Sequence, residues 1–171
     1  MNKFESSQFF VSDGDTIIIY DRGDSNLTVR LRLIDCAERQ RRGQSSDDLA
    51  DIAQWSLGQI ALQRAVETLR GRTVEVSLTG TDWYGRGLAD VRVSGTKGAS
   101  QTLQSRLVRA GLAVPYFSIV PDLESVEEVW LYRRLVVDCY RAKLDKLGFW
   151  SPGYLGELPH EFRSRKKVEA V

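Results

Sequence analysis

Alternation of apolar and polar positions in the first third of the chain predicts short β-strands separated by tight turns. Residues 9–11 and 16–20 are β-branched and aromatic runs on either side of a turn-forming Ser-Asp-Gly-Asp segment. In residues 27–34, leucine or valine recurs at every second position, so these apolar side chains share one face and Arg30 and Arg32 should point to the other. The pattern predicts three strands with one buried face.

A cluster of turn-forming residues, 21–26, predicts the hairpin loop that joins the second strand to the third. Alternation resumes in residues 74–78 and again in residues 88–93, which predicts a fourth and a fifth strand. These two strands flank the segment from Asp82 to Arg86, so that segment should form the connection between them.

Helical spacing of apolar residues and capping signals predict three helices. The first follows a polar stretch, residues 39–46, and carries an apolar stripe in its C-terminal half. The second covers about residues 100–110 and ends at Gly111, and the third covers about residues 124–147 and ends at Gly148. Five strands with one helix after the third and two after the fifth are compatible with an oligonucleotide-binding (OB) barrel. We therefore expect an α+β fold that is mainly a β barrel.

The length of the chain, 171 residues, suits one domain with short flanking segments. We expect an N-terminal arm at residues 1–8, a single domain over residues 9–152, and a C-terminal tail over residues 153–171. Prolines and glycines are frequent after Phe149, which predicts a tail that packs loosely against the domain.

Charge and composition limit the chemistry. The formal net charge is only +1, so attraction to nucleic acid would have to be local, from the arginines of residues 30–42 or the basic residues 163–167. Cys36 and Cys139 do not have zinc-ligand spacing, and two free thiols are expected. His160 is the only histidine, which argues against mechanisms built on a histidine base.

No apolar run of about 18 residues predicts a membrane span, and residues 1–5 lack the apolar core of an export signal. We expect a monomer without a membrane partner. Either the protein is made without an export signal and is cytoplasmic, or a signal has been removed and it is secreted or periplasmic.

Acidic and basic residues stand where the predicted strands begin and end. Asp13 and Asp15 lie in the turn before the second strand, while the third strand carries Arg30 and leads to Asp35 and Glu38. Carboxylates bind divalent cations, guanidinium groups hold phosphates, and a carboxylate beside a metal ion can orient the attacking water. These residue types predict a site that cleaves phosphodiester bonds.

Five motifs in this order resemble the thermonuclease family, which includes staphylococcal (micrococcal) nuclease. They extend over about residues 9–152 and are Asp13-Gly14-Asp15-Thr16, Arg30 to Glu38, Asp82-x-Tyr84-Gly85-Arg86-Gly87, Gly111-Leu112-Ala113 and Gly148-Phe149-Trp150-Ser151. The resemblance implies an OB-type five-stranded barrel with three helices. It also implies calcium-dependent endonuclease activity on DNA and RNA, with little sugar specificity, that leaves 3′-phosphate ends.

The resemblance assigns metal ligands to three residues. Asp15, Asp35 and the backbone carbonyl of Cys36 would coordinate Ca²⁺, a set of hard oxygen ligands that suits this ion. Asp13 would lie outside the direct ligands. Glu38 would act as the general base or orient the attacking water.

The resemblance assigns phosphate and nucleotide contacts to four further residues. Arg30 and Arg86 would be the catalytic guanidinium groups on the scissile phosphate. Tyr84 and Tyr116 would contact the nucleotide and its neighbouring phosphate, and thus bind substrate.

The chain departs from the family pattern at Cys36, where a threonine is usual, at Ala37, where a proline is usual, and at Trp83, where a basic residue is common. Trp83 lacks the positive charge of that basic residue but offers a face on which a base can stack. An alternative function is a noncatalytic OB-type module that binds single-stranded nucleic acid or a protein. Such modules lose the catalytic carboxylates and arginines, whereas this chain has them.

Overall fold

The computed structural model describes residues 1–20, 26–116 and 125–169. Residues 21–25 of the predicted hairpin loop and residue 124 of the third predicted helix lie outside the described residues. The strands of the described chain are β1 (Asn2–Phe4), β2 (Phe9–Asp13), β3 (Thr16–Ile19), β4 (Leu27–Leu31), β5 (Ile34–Cys36), β6 (Val74–Thr81), β7 (Gly87–Val93) and β8 (Ala113–Pro115). The helices are α1 (Leu49–Leu69), α2 (Leu103–Arg109), α3 (Val126–Leu144) and α4 (Pro159–Glu169).

Six strands form one curled sheet in the order β1-β6-β7-β4-β3-β2, and β5 pairs with β8 in a separate two-stranded ribbon. Neighbours in the large sheet are antiparallel except β4 and β7, which run parallel with Val29 opposite Gly87. The α+β prediction with an OB-like barrel is confirmed. The large sheet has one strand more than predicted because residues 2–4, placed in the N-terminal arm, pair with β6.

The predicted third strand, residues 27–34, is two strands in the structure. Leu33 has φ of 63°, in the left-handed region that leucine rarely adopts, and this residue ends the pairing of β4 with the large sheet. The chain then turns into β5, where Asp35 lies opposite Val114 of β8. The break at Leu33 therefore places Asp35 on a separate strand, from which its side chain still reaches Arg30 of β4.

A single core lies between the curled sheet and the first three helices. The sheet contributes its buried face, and each helix contributes one apolar face. Fully buried members are Val29 and Leu31 of β4, Val91 of β7, Ala61 and Ala65 of α1, Leu107 of α2 and Leu135 of α3. This core fixes α1 against the strands that carry the candidate site.

The prediction that the C-terminal tail packs loosely is wrong, because residues 159–169 form α4 against the domain. Phe162 on this helix is only 6% exposed. The Tyr154 hydroxyl, just before the helix, donates a hydrogen bond to Gln54 Oε1 of α1 at 2.7 Å. Arg165 donates to Asp51 of α1 at 2.7 Å. The polar composition of this segment reflects ion pairs with the domain.

None of the helices in the described part of the chain is long and apolar enough to cross a bilayer. Cys36, which is buried, and Cys139, which is half-buried, are both free thiols, as predicted.

Candidate active site

Two buried carboxylates, Asp15 and Asp35, are joined by the guanidinium group of Arg30. Arg30 Nη1 lies 2.9 Å from Asp15 Oδ2, and Nη2 donates to Asp35 Oδ1 at 3.0 Å. Asp15 is 6% exposed and Asp35 is fully buried. The Thr16 hydroxyl donates to the other oxygen of Asp15 at 3.0 Å. Three of the residues predicted for the site are thus in direct contact.

Only glycine fits at position 14 between the segments that carry Asp15 and Asp35, because a side chain there would collide with its neighbours. A Cβ atom at position 14 would lie 2.9 Å from the Ala61 Cβ atom and 3.2 Å from Cys36 Sγ. The turn between β2 and β3 therefore packs directly against α1 and β5. This packing brings Asp15 beside Asp35, and it gives the Asp-Gly-Asp motif a steric reason.

Burial and neighbouring charges decide the ionisation of Asp15 and Arg30. Burial raises the pKa of Asp15, attraction to Arg30 opposes the rise, and the negative charge of Asp35 adds to it. Burial tends to lower the pKa of Arg30, but Asp15 and Asp35 raise it, so the guanidinium stays charged. The Asp15 carboxyl therefore takes up a proton more readily than a solvated aspartate when the pH falls.

The Cys36 thiol is not a thiolate ligand in this environment. Burial, together with the charges of Asp15 and Asp35, raises the pKa of Cys36 well above its usual range. If position 36 contributes to a metal site, its backbone carbonyl is the chemically suitable atom, as the sequence predicts.

Arg163 of α4 reaches into the same site, where the sequence predicted no role for it. Its Nη1 donates to Asp35 Oδ1 at 3.0 Å and its Nη2 donates to Asp35 Oδ2 at 2.5 Å. Nη1 also donates to Glu38 Oε1 at 2.7 Å. Burial alone would lower the pKa of Arg163, but Asp35 and Glu38 raise it. The basic run of residues 163–167 was the only sequence signal for this contact.

The backbone at Glu38 is positioned by close packing against a glycine of α1, Gly58. A Cβ atom at Gly58 would lie 2.4 Å from the Glu38 carbonyl oxygen and 2.9 Å from that of Ala37. The backbone that carries Glu38 therefore lies directly on the helix. The Glu38 side chain is 26% exposed, so it can meet both solvent and Arg163. Gly58 was missed because a single glycine within a helical pattern carries no signal of its own.

Asp13 serves the turn and does not contact the Asp15–Asp35 pair in the described structure. It accepts hydrogen bonds from the Gly14 N–H at 2.8 Å and from Arg39 Nε at 3.2 Å. Its side chain is 34% exposed. This position is compatible with the predicted place outside the direct metal ligands.

The connection between β6 and β7 holds Arg86 through Asp82. Arg86 Nε donates to Asp82 Oδ2 at 2.7 Å, and the backbone N–H groups of Tyr84 and Arg86 donate to Oδ1 at 2.9 and 3.0 Å. Parallel pairing of β4 and β7 places Gly87 opposite Val29, next to Arg30. Arg86 therefore lies beside the strand of Arg30, although the described contacts do not join it to Asp15 or Asp35.

Exposed aromatic rings stand on this connection. Trp83 is 99% exposed and Tyr84 is 85% exposed. The Arg86 guanidinium lies 5.6 Å from the centroid of the Tyr84 ring. Tyr116 lies on a different element, after β8, where its N–H donates to the Leu33 carbonyl at 3.0 Å and its ring is 6.4 Å from that of His160. The two predicted nucleotide-binding tyrosines thus lie on separate elements.

Within residues 1–20, 26–116 and 125–169, no group of three or more His, Cys, Asp or Glu side chains is arranged to hold a metal ion. The predicted calcium ligands include only two such side chains, because the third ligand is a backbone carbonyl. Asp15 and Asp35 both contact a single guanidinium group, so their carboxylates lie close enough together to share one cation. Their oxygen atoms fit a hard cation that completes its coordination with water.

Comparison with known proteins assigns the segment that contains most of these residues to one protein family. Residues 28–152 match the family model described as staphylococcal nuclease homologue. No curated protein matches the chain significantly. The matched region contains Arg30, Asp35, Glu38 and Arg86, whereas Asp15 precedes it and Arg163 follows it.

Proposed function

Because the chain belongs to the staphylococcal nuclease homologue family, we propose that it is a calcium-dependent endonuclease that hydrolyses phosphodiester bonds of DNA and RNA. The observation that carries this proposal is the pair of buried carboxylates, Asp15 and Asp35, joined by Arg30. Burying two acids side by side is costly unless charged partners offset it, and in this proposal a bound cation would be one such partner.

In this proposal Asp15, Asp35 and the Cys36 carbonyl would hold Ca²⁺, which would supply positive charge to stabilise the phosphate during cleavage. Arg30 and Arg86 donate hydrogen bonds to the phosphate and stabilise the charge that develops on it in the transition state. The Asp82 contact restricts the Arg86 side chain before substrate binds, which limits the entropy that this side chain loses on binding substrate.

Glu38 accepts a proton from the attacking water while the oxygen of that water forms a bond to phosphorus. The bond from phosphorus to the 5′ oxygen breaks, the leaving oxygen takes up a proton, and the 3′ oxygen keeps the phosphate. The partial exposure of Glu38 supports this role because water can reach its carboxylate, whereas fully buried Asp35 is enclosed.

Trp83 and Tyr84 support a nucleic-acid substrate. Large aromatic rings that are almost fully exposed beside an arginine form a surface on which unpaired bases can stack. Stacking does not read the sugar, so it is compatible with cleavage of both DNA and RNA. Tyr116, which follows β8, supplies a further substrate contact in this proposal.

The test is digestion of single-stranded DNA, duplex DNA and RNA with calcium and with a calcium chelator. We expect 3′-phosphate products with calcium and none with chelator. Nucleic-acid binding without cleavage would instead support the noncatalytic module, and full activity in chelator would contradict the metal assignment.

Two variants separate the roles of the carboxylates. Asp35→Asn should weaken calcium binding, so raising calcium should restore part of its activity. Glu38→Gln should lower turnover, and added calcium should not restore it. Asp145→Asn, which removes a half-exposed carboxylate paired with Arg109, is the control and should cleave at the wild-type rate.

A further inference from the structure

The helix that follows the family match, α4, places Arg163 on two carboxylates that the proposed function uses. One guanidinium group engages both oxygens of Asp35 and one oxygen of Glu38, at distances of 2.5 to 3.0 Å. Asp35 therefore accepts hydrogen bonds from Arg163 as well as from Arg30. A role for Arg163 in cation binding rests on the proposed function, because it requires that Asp35 is a calcium ligand.

Other contacts hold α4 on the domain independently of Arg163. Asp51 of α1 is fully buried and accepts hydrogen bonds from Arg165 at 2.7 Å and from Lys166 at 2.6 Å. Burial opposes its ionisation, but these hydrogen bonds lower the pKa of Asp51 to about 2. The anchor is thus charged at neutral pH, and Phe162 adds buried apolar contact. The Arg163 side chain can leave the site without detaching the helix.

Charge at the site makes Arg163 a competitor of the cation. Asp15, Asp35 and Glu38 carry three negative charges, which Arg30 and Arg163 together reduce by two. Without Arg163, two negative charges would be available to a divalent cation instead of one. Arg163 also donates to both Asp35 oxygens, which are the atoms that a cation would use.

Arg163 is better suited than Arg30 to move. Arg30 lies on the central strand β4, bridges two buried acids, and its side chain is 19% exposed. The Arg163 side chain is 35% exposed and projects from a surface helix, so water can solvate its guanidinium once it leaves the carboxylates.

We propose that Arg163 is a tethered counter-ion that competes with the divalent cation for Asp35 and thereby sets the affinity of the site for that cation. The same displacement frees Glu38, whose charge is otherwise engaged by Arg163, to accept a proton from water. Cation binding and the availability of the general base are therefore coupled through one side chain of α4.

The test is calcium binding measured by titration calorimetry on the wild type and on Arg163→Gln, without nucleic acid. Arg163→Gln should bind calcium at least roughly tenfold more tightly, because it removes a positive charge a few ångströms from the cation. Arg163→Lys keeps the charge but loses the bidentate geometry, and its affinity should lie between the two. Lys167→Gln makes the same charge change on an exposed position of α4 and is the matched control, expected to bind like the wild type.

A spectroscopic measurement follows the side chain itself. The Nε–H resonance of Arg163, assigned by its absence in Arg163→Gln, should shift when calcium is added, while that of Arg165 should not. Equal or weaker calcium binding by Arg163→Gln, with binding weakened in Asp35→Asn, would overturn this inference and leave the calcium site intact. Absence of calcium binding in both the wild type and Arg163→Gln would overturn the proposed calcium site and the inference with it.

Discussion

Replacing Gly58 with alanine separates two effects that a glycine in a helix can have. A Cβ atom at this position would lie 2.4 Å from the Glu38 carbonyl oxygen and 2.6 Å from its carbon. Since real Cβ contacts are not shorter than about 3.0 Å, α1 and the backbone at Glu38 must separate by roughly 0.6 Å or more. The opposing atoms belong to the backbone, so no side-chain rotation can relieve the contact.

The two effects on stability have opposite signs. Alanine in place of glycine within a helix stabilises by about 1 kcal/mol, whereas overpacking in a closely packed region costs about 1–3 kcal/mol. We expect a net destabilisation of about 1 kcal/mol, which lowers the melting temperature by roughly 2–4 °C in a protein of this size. Turnover should fall more clearly, by roughly ten- to a hundredfold, because misplacing a catalytic group by about 1 Å can cost two orders of magnitude.

The assay is the initial rate of DNA cleavage at saturating calcium and substrate, beside thermal unfolding of the same Gly58→Ala sample. Gly80→Ala is the control for the change of residue type, because among the described residues no atom lies within 4 Å of a Cβ atom there. Wild-type turnover with a raised melting temperature would show that helix propensity is the whole effect. The inference that Gly58 positions Glu38 would then be refuted.

Three further predictions concern phosphate binding, the core and pH. Arg86→Ala should lower turnover by roughly a hundredfold with an unchanged melting temperature. The control is Arg92→Ala, which removes an ion pair on β7 and should not lower turnover. Equal rates in the two variants would contradict the role of Arg86. Gly111→Ala should lower the free energy of unfolding, measured in urea, by more than about 2 kcal/mol. Gly111 has a φ of 69°, and a Cβ atom there would lie 2.2 Å from the Leu147 carbonyl oxygen. A smaller loss of stability would contradict this close approach. The pKa of Asp51, about 2, lies below the unfolded value of about 3.9, so its stabilisation is complete above about pH 4 and lost as the pH falls towards 2. The difference in unfolding free energy between the wild type and Asp51→Asn should therefore shrink below pH 4, and a constant difference down to pH 2 would refute it.

The sequence predicted the strands and the central part of the site because both depend on local patterns. Alternation identifies the buried face of β4, and the same period places Arg30 on its reverse. Asp15 and Asp35 stand beside a strand start and a strand end, where side chains from neighbouring strands converge. The structure brings these two residues together, and the bridge that Arg30 forms between them was not predicted.

Other features depend on contacts that no local pattern reveals. The apolar period continues through Leu33, so the break caused by its positive φ was not predicted. Docking of α4 depends on Asp51, which lies 114 positions before its partner Arg165. A polar segment with prolines and glycines resembles a loose tail until the buried carboxylate that binds it is known.

The contact between Asp35 and Arg163 joins residues 128 positions apart, which has a consequence for the order of folding. During synthesis Asp35 and Glu38 leave the ribosome long before Arg163, and contacts of large sequence separation form late because they close the longest loops. Until α4 docks, neither carboxylate has its Arg163 partner. The nascent chain therefore offers an open acidic pair to the ions of its compartment, and a cation can reach the site before the helix does.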